Sequence, residues 1–160
     1  MTRPSFAVFD IDGVLADVEH RLHHIRGWRR NWAGFFAAAG DDPLLVEGHR
    51  RAVEAADKHA IVYLSGRPEH LRTVTQTWLE RHALPAGALV LRGARDRRPA
   101  RVVKPELLAR VAEQGSIAFV VDDDAAVCEA LRAHGYSVVQ AAWAVESPTL
   151  RRAQEGGGRT

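Results

Sequence analysis

Hydrophobic residues in this chain form short unbroken runs that alternate with longer segments of helical periodicity. An uninterrupted apolar run is typical of a strand that is buried on both faces, so the runs predict five β-strands. These strands cover residues 6–9, 60–64, 89–91, 117–121 and 136–140. Strands that alternate with helices indicate a parallel sheet with helices on both faces, and we therefore predict an α/β, Rossmann-like three-layer fold.

Helical periodicity predicts four helical regions. The first covers residues 18–57, is interrupted at 40–43, and is expected to form a small helical cap. Proline favours the first turn of a helix, so further helices are predicted from Pro68 to about His82 and from Pro105 to about Gly115. The last runs from Ala125 to Gly135, since glycine commonly ends a helix. We predict one domain over residues 1–150 and a disordered, glycine-rich tail over 151–160.

Composition narrows the class of protein. The 160 residues suit one compact domain, and the 46% hydrophobic content is sufficient for a core. A single cysteine, Cys128, excludes an internal disulfide framework and favours a reducing, cytoplasmic location. The sequence has no apolar run of membrane-spanning length, so we expect no membrane association, and nothing in it indicates an obligate protein partner.

The charged residues are segregated along the chain. The formal net charge of +2 is too small to indicate a nucleic-acid partner by itself. Arginines cluster within 26–30 and 92–101, whereas carboxylates cluster within 10–17, 41–42 and 122–124. This separation favours an anionic substrate that binds near a metal ion.

Chemically useful side chains follow the predicted strands directly. Because the carboxyl ends of parallel strands share one edge of a sheet, these groups are expected to meet in one cleft. They are Asp10 and Asp12 after the first strand, Ser65, Gly66 and Arg67 after the second, Lys104 near the start of the helix that precedes the fourth, and Asp122 and Asp123 after the fourth.

Such a cleft needs a cation. Two carboxylates roughly 5 Å apart repel each other by about 3 kcal/mol at an effective dielectric near 20. Carboxylate oxygens together with phosphate oxygens suit Mg²⁺. An aspartate can attack phosphorus, and a second carboxyl group can transfer the proton. Each motif alone has an ordinary structural interpretation as a turn or helix cap, but their order and placement favour a catalytic site.

The segment 10–15, Ser65, Lys104 and the Asp122–Asp123 pair together resemble the haloacid dehalogenase superfamily of phosphohydrolases. The resemblance implies that Asp10 is a nucleophile that forms an aspartyl-phosphate and that Asp12 is the general acid and base. It implies that Ser65, Gly66 and Lys104 bind the phosphoryl group. It also implies a Mg²⁺ ion held by Asp10, Asp12, Asp122 and Asp123.

A narrower resemblance, to the phosphatase domain of polynucleotide kinase-phosphatases, rests on segments 17–32, 64–68 and 91–104. It implies removal of 3′-phosphates from nucleic-acid ends, with Arg21 and Arg67 near the phosphate. Two positions depart from that pattern: Ala100 replaces an acidic residue and Asp124 replaces a common arginine. Two substrate classes therefore stay open, polynucleotide ends and nucleotides or other small phosphate esters, with a non-catalytic phosphate-binding domain as a third interpretation.

Several other residues allow two interpretations. Aromatic residues at helical spacing could form the core of the cap or a platform that stacks on a flat substrate; they are Trp28, Trp32, Phe35 and Phe36. The histidines His20, His23 and His24 lack the paired ligands of a zinc site, and His20 or His23 is expected at the rim of the cleft. The segment 18–57 is too short for a large cap domain, so an open site is expected.

Overall fold

A five-stranded parallel sheet forms the centre of the structure, a computed structural model that describes residues 2–160. The strands lie in the order β3-β2-β1-β4-β5 and all neighbours pair in parallel, which confirms the predicted sheet. Their bounds are β1 Ser5–Phe9, β2 Ala60–Pro68, β3 Gly87–Arg92, β4 Ser116–Asp122 and β5 Val138–Gln140. The order reverses at β1, so the carboxyl ends of β1, β2 and β4 border the crevice where ligands bind in such sheets.

Within the described residues 2–160, six α-helices and three short 3₁₀ helices surround the sheet. The α-helices are α1 Trp32–Ala37, α2 Val46–Ala56, α3 Arg72–Arg81, α4 Ala100–Ala112, α5 Ala125–Ala133 and α6 Pro148–Gly157. The 3₁₀ helices are Glu19–Ile25, Ala39–Asp41 and Glu69–Leu71. None of the helices within residues 2–160 combines the length and the hydrophobicity that crossing a membrane requires.

Alternation along β1 divides the core into two layers. Ala7 and Phe9 face α2 and α3, and they pack with Ala52 and Trp78. Val8 points to the opposite face and packs with side chains of α4 and α5 such as Leu108. Because successive strand residues point to opposite faces, an unbroken apolar run fills both layers. The predicted three-layer arrangement is confirmed.

The cap is smaller than predicted. A third apolar cluster joins the 3₁₀ helix Glu19–Ile25, α1 and α6 through residues that include Leu22, Phe35 and Leu150. Helix α2 does not belong to it, because Ala52 and Ala55 pack onto the sheet instead. The prediction of a cap over residues 18–57 is therefore wrong for its C-terminal part, which is α2. Gly48 lets α2 lie close to the segment that follows β1: a Cβ on Gly48 would be 1.9 Å from the carbonyl oxygen of Val14.

Helix α4 begins five residues before the predicted start. It runs from Ala100, with Pro99 at the N-cap position, and Pro105 lies inside the helix. Proline in a helix interior removes one backbone hydrogen bond and is usually avoided, which is why the sequence pattern pointed to the wrong proline. The consequence is that Lys104 lies in the second turn of α4, where it is buried. Similarly, Pro68 ends β2 and does not open α3.

The segment 151–160, predicted to be a disordered tail, is ordered. Helix α6 covers most of it, with Pro148 in the first turn and the Ser147 hydroxyl accepting a hydrogen bond from the amide of Leu150 at 3.1 Å. Leu150 and Ala153 are buried against the cap. Gly158, with φ +54°, ends the helix in the left-handed conformation. Burial of one helix face outweighs the glycine-rich composition on which the prediction of disorder rested.

We expect the substitution Gly48→Ala to destabilise the protein. On an open helix surface, replacing glycine by alanine would raise the free energy of unfolding by up to about 1 kcal/mol. Here the new Cβ would overlap the Val14 carbonyl, and such overpacking lowers the free energy of unfolding by about 1–3 kcal/mol. The matched control is Gly156→Ala in α6, where the nearest atom to the new Cβ lies at 3.4 Å. Thermal unfolding followed by circular dichroism should show a lower Tm for the first variant only. Equal Tm values for the two variants would contradict the close contact of α2 with the Val14 carbonyl.

Candidate active site

Acidic side chains that follow β1 and β4 converge around one lysine. Asp10, Asp122 and Asp123 each offer a carboxylate oxygen, and these oxygens lie within 4.8 Å of one another. The amide of Asp10 donates to the carbonyl of Val121 at 2.9 Å, which fixes the two strand ends side by side. Lys104 Nζ lies 3.0 Å from Asp10 Oδ2 and 2.6 Å from Asp122 Oδ2. The sheet thus brings together residues that are up to 113 positions apart in sequence.

The cluster has more negative charge than its surroundings neutralise. Burial raises the pKa of Asp10 well above its usual value, and the nearby Asp122 and Asp123 add to this, although Lys104 opposes the shift. Burial and Asp122 also raise the pKa of Asp123, to about 6, against the lowering effect of Arg151. Burial lowers the pKa of Lys104, but Asp10 and Asp122 outweigh it and raise that pKa, so the lysine stays charged. An additional cation would relieve the remaining repulsion.

The donor atoms fit a hard divalent ion. Asp123 Oδ1 is a buried oxygen that has no hydrogen-bond partner among residues 2–160, whereas its Oδ2 pairs with Arg151 Nη2 at 2.7 Å. A buried polar atom without a partner is costly, and a metal ion would satisfy it. Gly13 makes room for this carboxylate: a Cβ there would lie 2.0 Å from Asp123 Oδ2, and φ is +81°. Asp10, Asp122 and Asp123 are therefore suited to hold Mg²⁺.

Asp12 lies apart from this cluster and is held by two arginines. Its Oδ1 accepts hydrogen bonds from Arg67 Nη2 at 2.6 Å, Arg67 Nε at 3.0 Å and Arg21 Nη2 at 3.1 Å. Burial raises the pKa of Asp12, but Arg67 and Arg21 outweigh burial and lower the pKa to about 2. Its Oδ2 accepts one hydrogen bond, from the hydroxyl of Thr160 at 3.2 Å. The carboxylate is thus ionised, with one oxygen fixed and the other facing a single hydroxyl.

Asp42 completes this arrangement and was not singled out by the sequence analysis. Its Oδ1 accepts from Arg21 Nε at 2.7 Å, and its Oδ2 accepts from Arg21 Nη2 at 2.8 Å and from Arg67 Nη2 at 2.9 Å. His20 Nε2 lies 2.7 Å from the same Oδ1. The only signal in the sequence was a pair of neighbouring carboxylates, and the structure buries Asp42 while it exposes Asp41.

Arg21 and Arg67, which the resemblance places near the phosphate, both contact Asp12 in the structure. Both are buried, and their guanidinium groups bond Asp12 and Asp42. Two arginines and two aspartates balance each other in charge. This arrangement orients Asp12, and the N–H groups that bond Asp12 and Asp42 are not available to a phosphate.

The end of β2 lies beside the acidic cluster. Ser65 is buried, and its hydroxyl accepts a hydrogen bond from the amide of Arg67 at 3.1 Å. The pairing of β2 with β3 shifts register between Ser65 and Pro68, so this segment bends where it borders the cleft. Arg92 ends β3, is fully buried, and its Nε donates to the carbonyl of Gly66 at 2.7 Å. In the sequence, Arg92 belongs to a group of arginines and to the segment 91–104, and neither feature predicts its burial.

The remaining candidates have mainly structural contacts. Asp124 caps α5 by accepting from the amide of Ala126 at 2.9 Å. Trp32 packs with Phe35 and Phe36 in the cap core, whereas Trp28 is 85% exposed. The imidazole rings of His23 and His24 lie 4.0 Å apart and take no part in the group of potential metal ligands found within residues 2–160.

A groove borders the acidic cluster at Asp123. It encloses about 200 Å³ and extends from Gly13 and Asp123 to Arg26, between the 3₁₀ helix Glu19–Ile25 and the start of α6. Asp10 and Lys104 do not line it.

The fold and its acidic cleft define a phosphatase of the haloacid dehalogenase type. A family model described as "Polynucleotide kinase PNKP phosphatase domain" matches residues 4–144. The chain belongs to this family.

Solved structures show the same fold. A chain of the Pnkp1/Rnl/Hen1 RNA repair complex superimposes with a TM-score of 0.76 and 21% identity, over 90% of this chain and 44% of that chain. This chain therefore spans less than half of that relative. A HAD family enzyme from Bacteroides thetaiotaomicron, in complex with magnesium and inorganic phosphate, superimposes with a TM-score of 0.56 and 13% identity, over 92% and 98% of the two chains. No curated protein sequence matches the chain significantly.

We expect Asp42→Asn to destabilise the protein strongly. Removal of this charge leaves Arg21 and Arg67 with one carboxylate between them, and breaking a buried ion pair costs about 3–5 kcal/mol. The matched control is Asp41→Asn, which makes the same change at an exposed neighbour. Urea unfolding should give a much lower free energy of unfolding for the first variant and a nearly unchanged one for the second. A small effect at Asp42 would contradict its place in the network.

Proposed function

We propose that this domain is a Mg²⁺-dependent phosphohydrolase that acts through an aspartyl-phosphate on Asp10 and removes 3′-phosphates from polynucleotide ends. The observation that carries the proposal is the position of Asp10, a buried carboxylate between Lys104 and two further aspartates, with the arginine-held Asp12 two residues away. Family membership supports the same chemistry.

Asp10 is held in an orientation suited to attack. Its Oδ1 accepts from the amide of Ile11 at 2.8 Å, and its Oδ2 contacts Lys104. In the first step a carboxylate oxygen of Asp10 forms a bond to phosphorus while the bond from phosphorus to the ester oxygen breaks. Asp12, which takes up a proton when the phosphate binds, transfers it to the ester oxygen, and the leaving group departs as an alcohol. In the second step water attacks phosphorus, Asp12 takes the proton, and Asp10 is released as a carboxylate.

The network around Asp12 supports both proton transfers. Its Oδ1 is occupied by three N–H groups, so Oδ2 is the oxygen that can exchange a proton with substrate or water. The negative charge of an incoming phosphate raises the pKa of Asp12, because like charges disfavour the ionised form. Departure of the alcohol leaves Asp12 ionised beside Arg21 and Arg67, ready to accept the proton from water.

The other strand-end residues would hold the phosphoryl group. Lys104 supplies a positive charge and Ser65 a hydroxyl at the same edge of the sheet, and both interactions strengthen as charge develops on the phosphoryl oxygens. Mg²⁺ would be held by Asp10, Asp122 and Asp123 together with the backbone carbonyl of Asp12. When bound, it would neutralise charge on the phosphate and orient it towards Asp10.

A polynucleotide end is the proposed substrate on two grounds. The family is that of phosphatase domains from polynucleotide kinases, and a relative of similar fold belongs to an RNA repair complex. The small cap and the groove beside Asp123 would leave room for a long substrate. Ala100, which stands where an acidic residue is usual, is buried in the apolar layer of α4, so its methyl group packs in the core.

We expect the wild-type protein with Mg²⁺ to release phosphate from 3′-phosphorylated oligonucleotides. The substitution Asp10→Asn should abolish turnover, because an amide is a poor nucleophile, while circular dichroism shows an unchanged fold. Beryllium fluoride, which mimics an aspartyl-phosphate, should bind only when Asp10 is intact. The control Asp57→Asn alters an exposed carboxylate and should retain activity.

A panel of phosphate esters tests the proposed substrate class. It should include 3′- and 5′-phosphorylated DNA and RNA, nucleotides and sugar phosphates. Preference for a small phosphate ester over every 3′-phosphorylated end would overturn the polynucleotide substrate and keep the phosphatase. Full activity of Asp10→Asn would refute the nucleophile itself.

We expect Asp123→Asn to raise the Mg²⁺ concentration needed for half-maximal activity by at least about tenfold, because loss of a carboxylate ligand or its partners typically costs that much in metal affinity. Asp124→Asn is the matched control, since asparagine also caps helices and the side chain of residue 124 bonds Ala126. A titration with Mg²⁺ at saturating substrate measures both variants. Equal shifts for the two variants would mean that Asp123 is not a ligand.

A further inference from the structure

Arg92 is a buried cation whose hydrogen-bond acceptors, among residues 2–160, are all backbone carbonyls. They belong to Gly66 at 2.7 Å, Arg98 at 2.7 Å, Asp96 at 3.4 Å, Gly158 at 2.5 Å and Thr160 at 3.3 Å. Burial lowers the pKa of Arg92 to about 10, whereas the carboxylates beside Arg67 outweigh burial and raise the pKa of that arginine. These main-chain oxygens satisfy the N–H groups of Arg92, but no carboxylate side chain contacts it among residues 2–160, so its charge is available to an anionic ligand.

The segment 158–160 supplies two of these carbonyls and also reaches the catalytic carboxylate. The Thr160 hydroxyl donates to Asp12 Oδ2 at 3.2 Å, while the Thr160 carbonyl accepts from Arg92 Nη2. Thr160 is 3% exposed and lies directly over Gly66, where an added Cβ would be 2.5 Å from the carbonyl carbon of Thr160 and 3.4 Å from Arg92 Nη2. One residue therefore spans the space between Asp12 and Arg92.

This position coincides with that of the leaving group in the proposed reaction. Asp12 Oδ2 is the oxygen that must reach the ester oxygen, and the Thr160 hydroxyl occupies it. Substrate and segment 158–160 cannot occupy the same space, so the segment must move before turnover. Its departure removes two acceptors from Arg92 and leaves that guanidinium facing the cleft beside Gly66. An anionic group on the leaving alcohol would replace the lost carbonyls with a stronger, charge-assisted contact.

We propose that Arg92 binds a second phosphate of the substrate, the one on the far side of the leaving nucleoside, and that residues 158–160 occupy this subsite until substrate displaces them. This inference rests on the proposed function and adds to it a criterion for which phosphate esters the enzyme prefers. The preferred leaving group has a hydroxyl oxygen at Asp12 and a phosphate at Arg92. Nucleoside 3′,5′-bisphosphates and 3′-phosphorylated oligonucleotides satisfy this criterion, and nucleoside 3′-monophosphates do not.

The test compares thymidine 3′,5′-bisphosphate with thymidine 3′-monophosphate, two esters that differ only in the second phosphate. The wild-type protein should favour the bisphosphate by about tenfold or more in kcat/KM, as a hydrogen bond to a charged group allows. Arg92→Gln should bring this ratio close to one, and Arg92→Lys should give an intermediate value. The control Arg95→Gln makes the same change at an exposed arginine of the same loop and should keep the wild-type ratio.

The ratio separates substrate recognition from a structural effect, because a loss of folded protein lowers activity on both esters equally. An unchanged ratio in Arg92→Gln, or no preference in the wild-type protein, would overturn the subsite. The segment is tested separately by Thr160→Val, which removes the hydroxyl and keeps the shape of the side chain. It should lower KM for both esters severalfold, and an unchanged KM would show that the segment does not compete with substrate.

Binding to the Asp10→Asn variant distinguishes failure of the subsite from failure of the proposed reaction. Calorimetry with this variant should show tighter binding of the bisphosphate than of the monophosphate, and Arg92→Gln in the same background should remove the difference. If the wild-type protein hydrolyses neither ester but this difference persists, the subsite stands and the phosphatase proposal falls. If both esters are hydrolysed and bind equally, only the subsite is refuted.

Discussion

The pairing of buried aspartates with buried cations at one edge of the sheet is the interaction on which the site depends. Each parallel strand delivers a polar side chain at its carboxyl end, and packing helices exclude water from several of them. A buried charge without a partner costs several kcal/mol, so the folded state requires these partners. The residues concerned are Asp10, Asp12, Asp42 and Asp122 on one side and Arg21, Arg67 and Lys104 on the other.

The charges divide into two groups with different consequences. Asp12 and Asp42 face Arg21 and Arg67, so this group is balanced and can remain rigid without a ligand. The second group sets three carboxylates against Lys104 and Arg151, and it retains an unbalanced negative charge. A balanced group suits a residue that must keep one orientation during proton transfer. An unbalanced group suits a metal site, because its repulsion is relieved only when a cation binds.

The sequence was most informative where structure is local. Unbroken apolar runs predicted the strands, and the residues that follow those runs gave Asp10, Ser65 and Asp122, since the end of a strand fixes the position of the next side chain. Burial of distant partners was not predictable in the same way. Asp42 differs from its exposed neighbour Asp41 only in the side chains that reach it from other elements, and Arg21 reaches it from 21 residues away.

Competing local signals account for the errors. Pro105 was predicted to start α4, but Ala100 and Val103 are buried and the helix begins at Ala100. The glycines at 156–158 indicated disorder, but Leu150 and Ala153 anchor α6 to the cap, and a pattern of two buried residues is too short to recognise. In each case tertiary burial overrode the local preference.

The three buried arginines show that residue type alone does not determine the role of a side chain. Arg21, Arg67 and Arg92 lie near the same sheet edge, and all three are almost fully buried. Carboxylates hold the first two, so displacing them would break ion pairs and disturb Asp12. Arg92 is held by carbonyls, two of them on a segment that also covers Asp12 Oδ2. Under the subsite that we propose, a phosphate would replace main-chain acceptors of Arg92 with a charge-assisted contact, whereas at Arg21 or Arg67 it would have to break an ion pair. The type of acceptor therefore separates the two arginines that hold Asp12 from the one that we propose for ligand recognition.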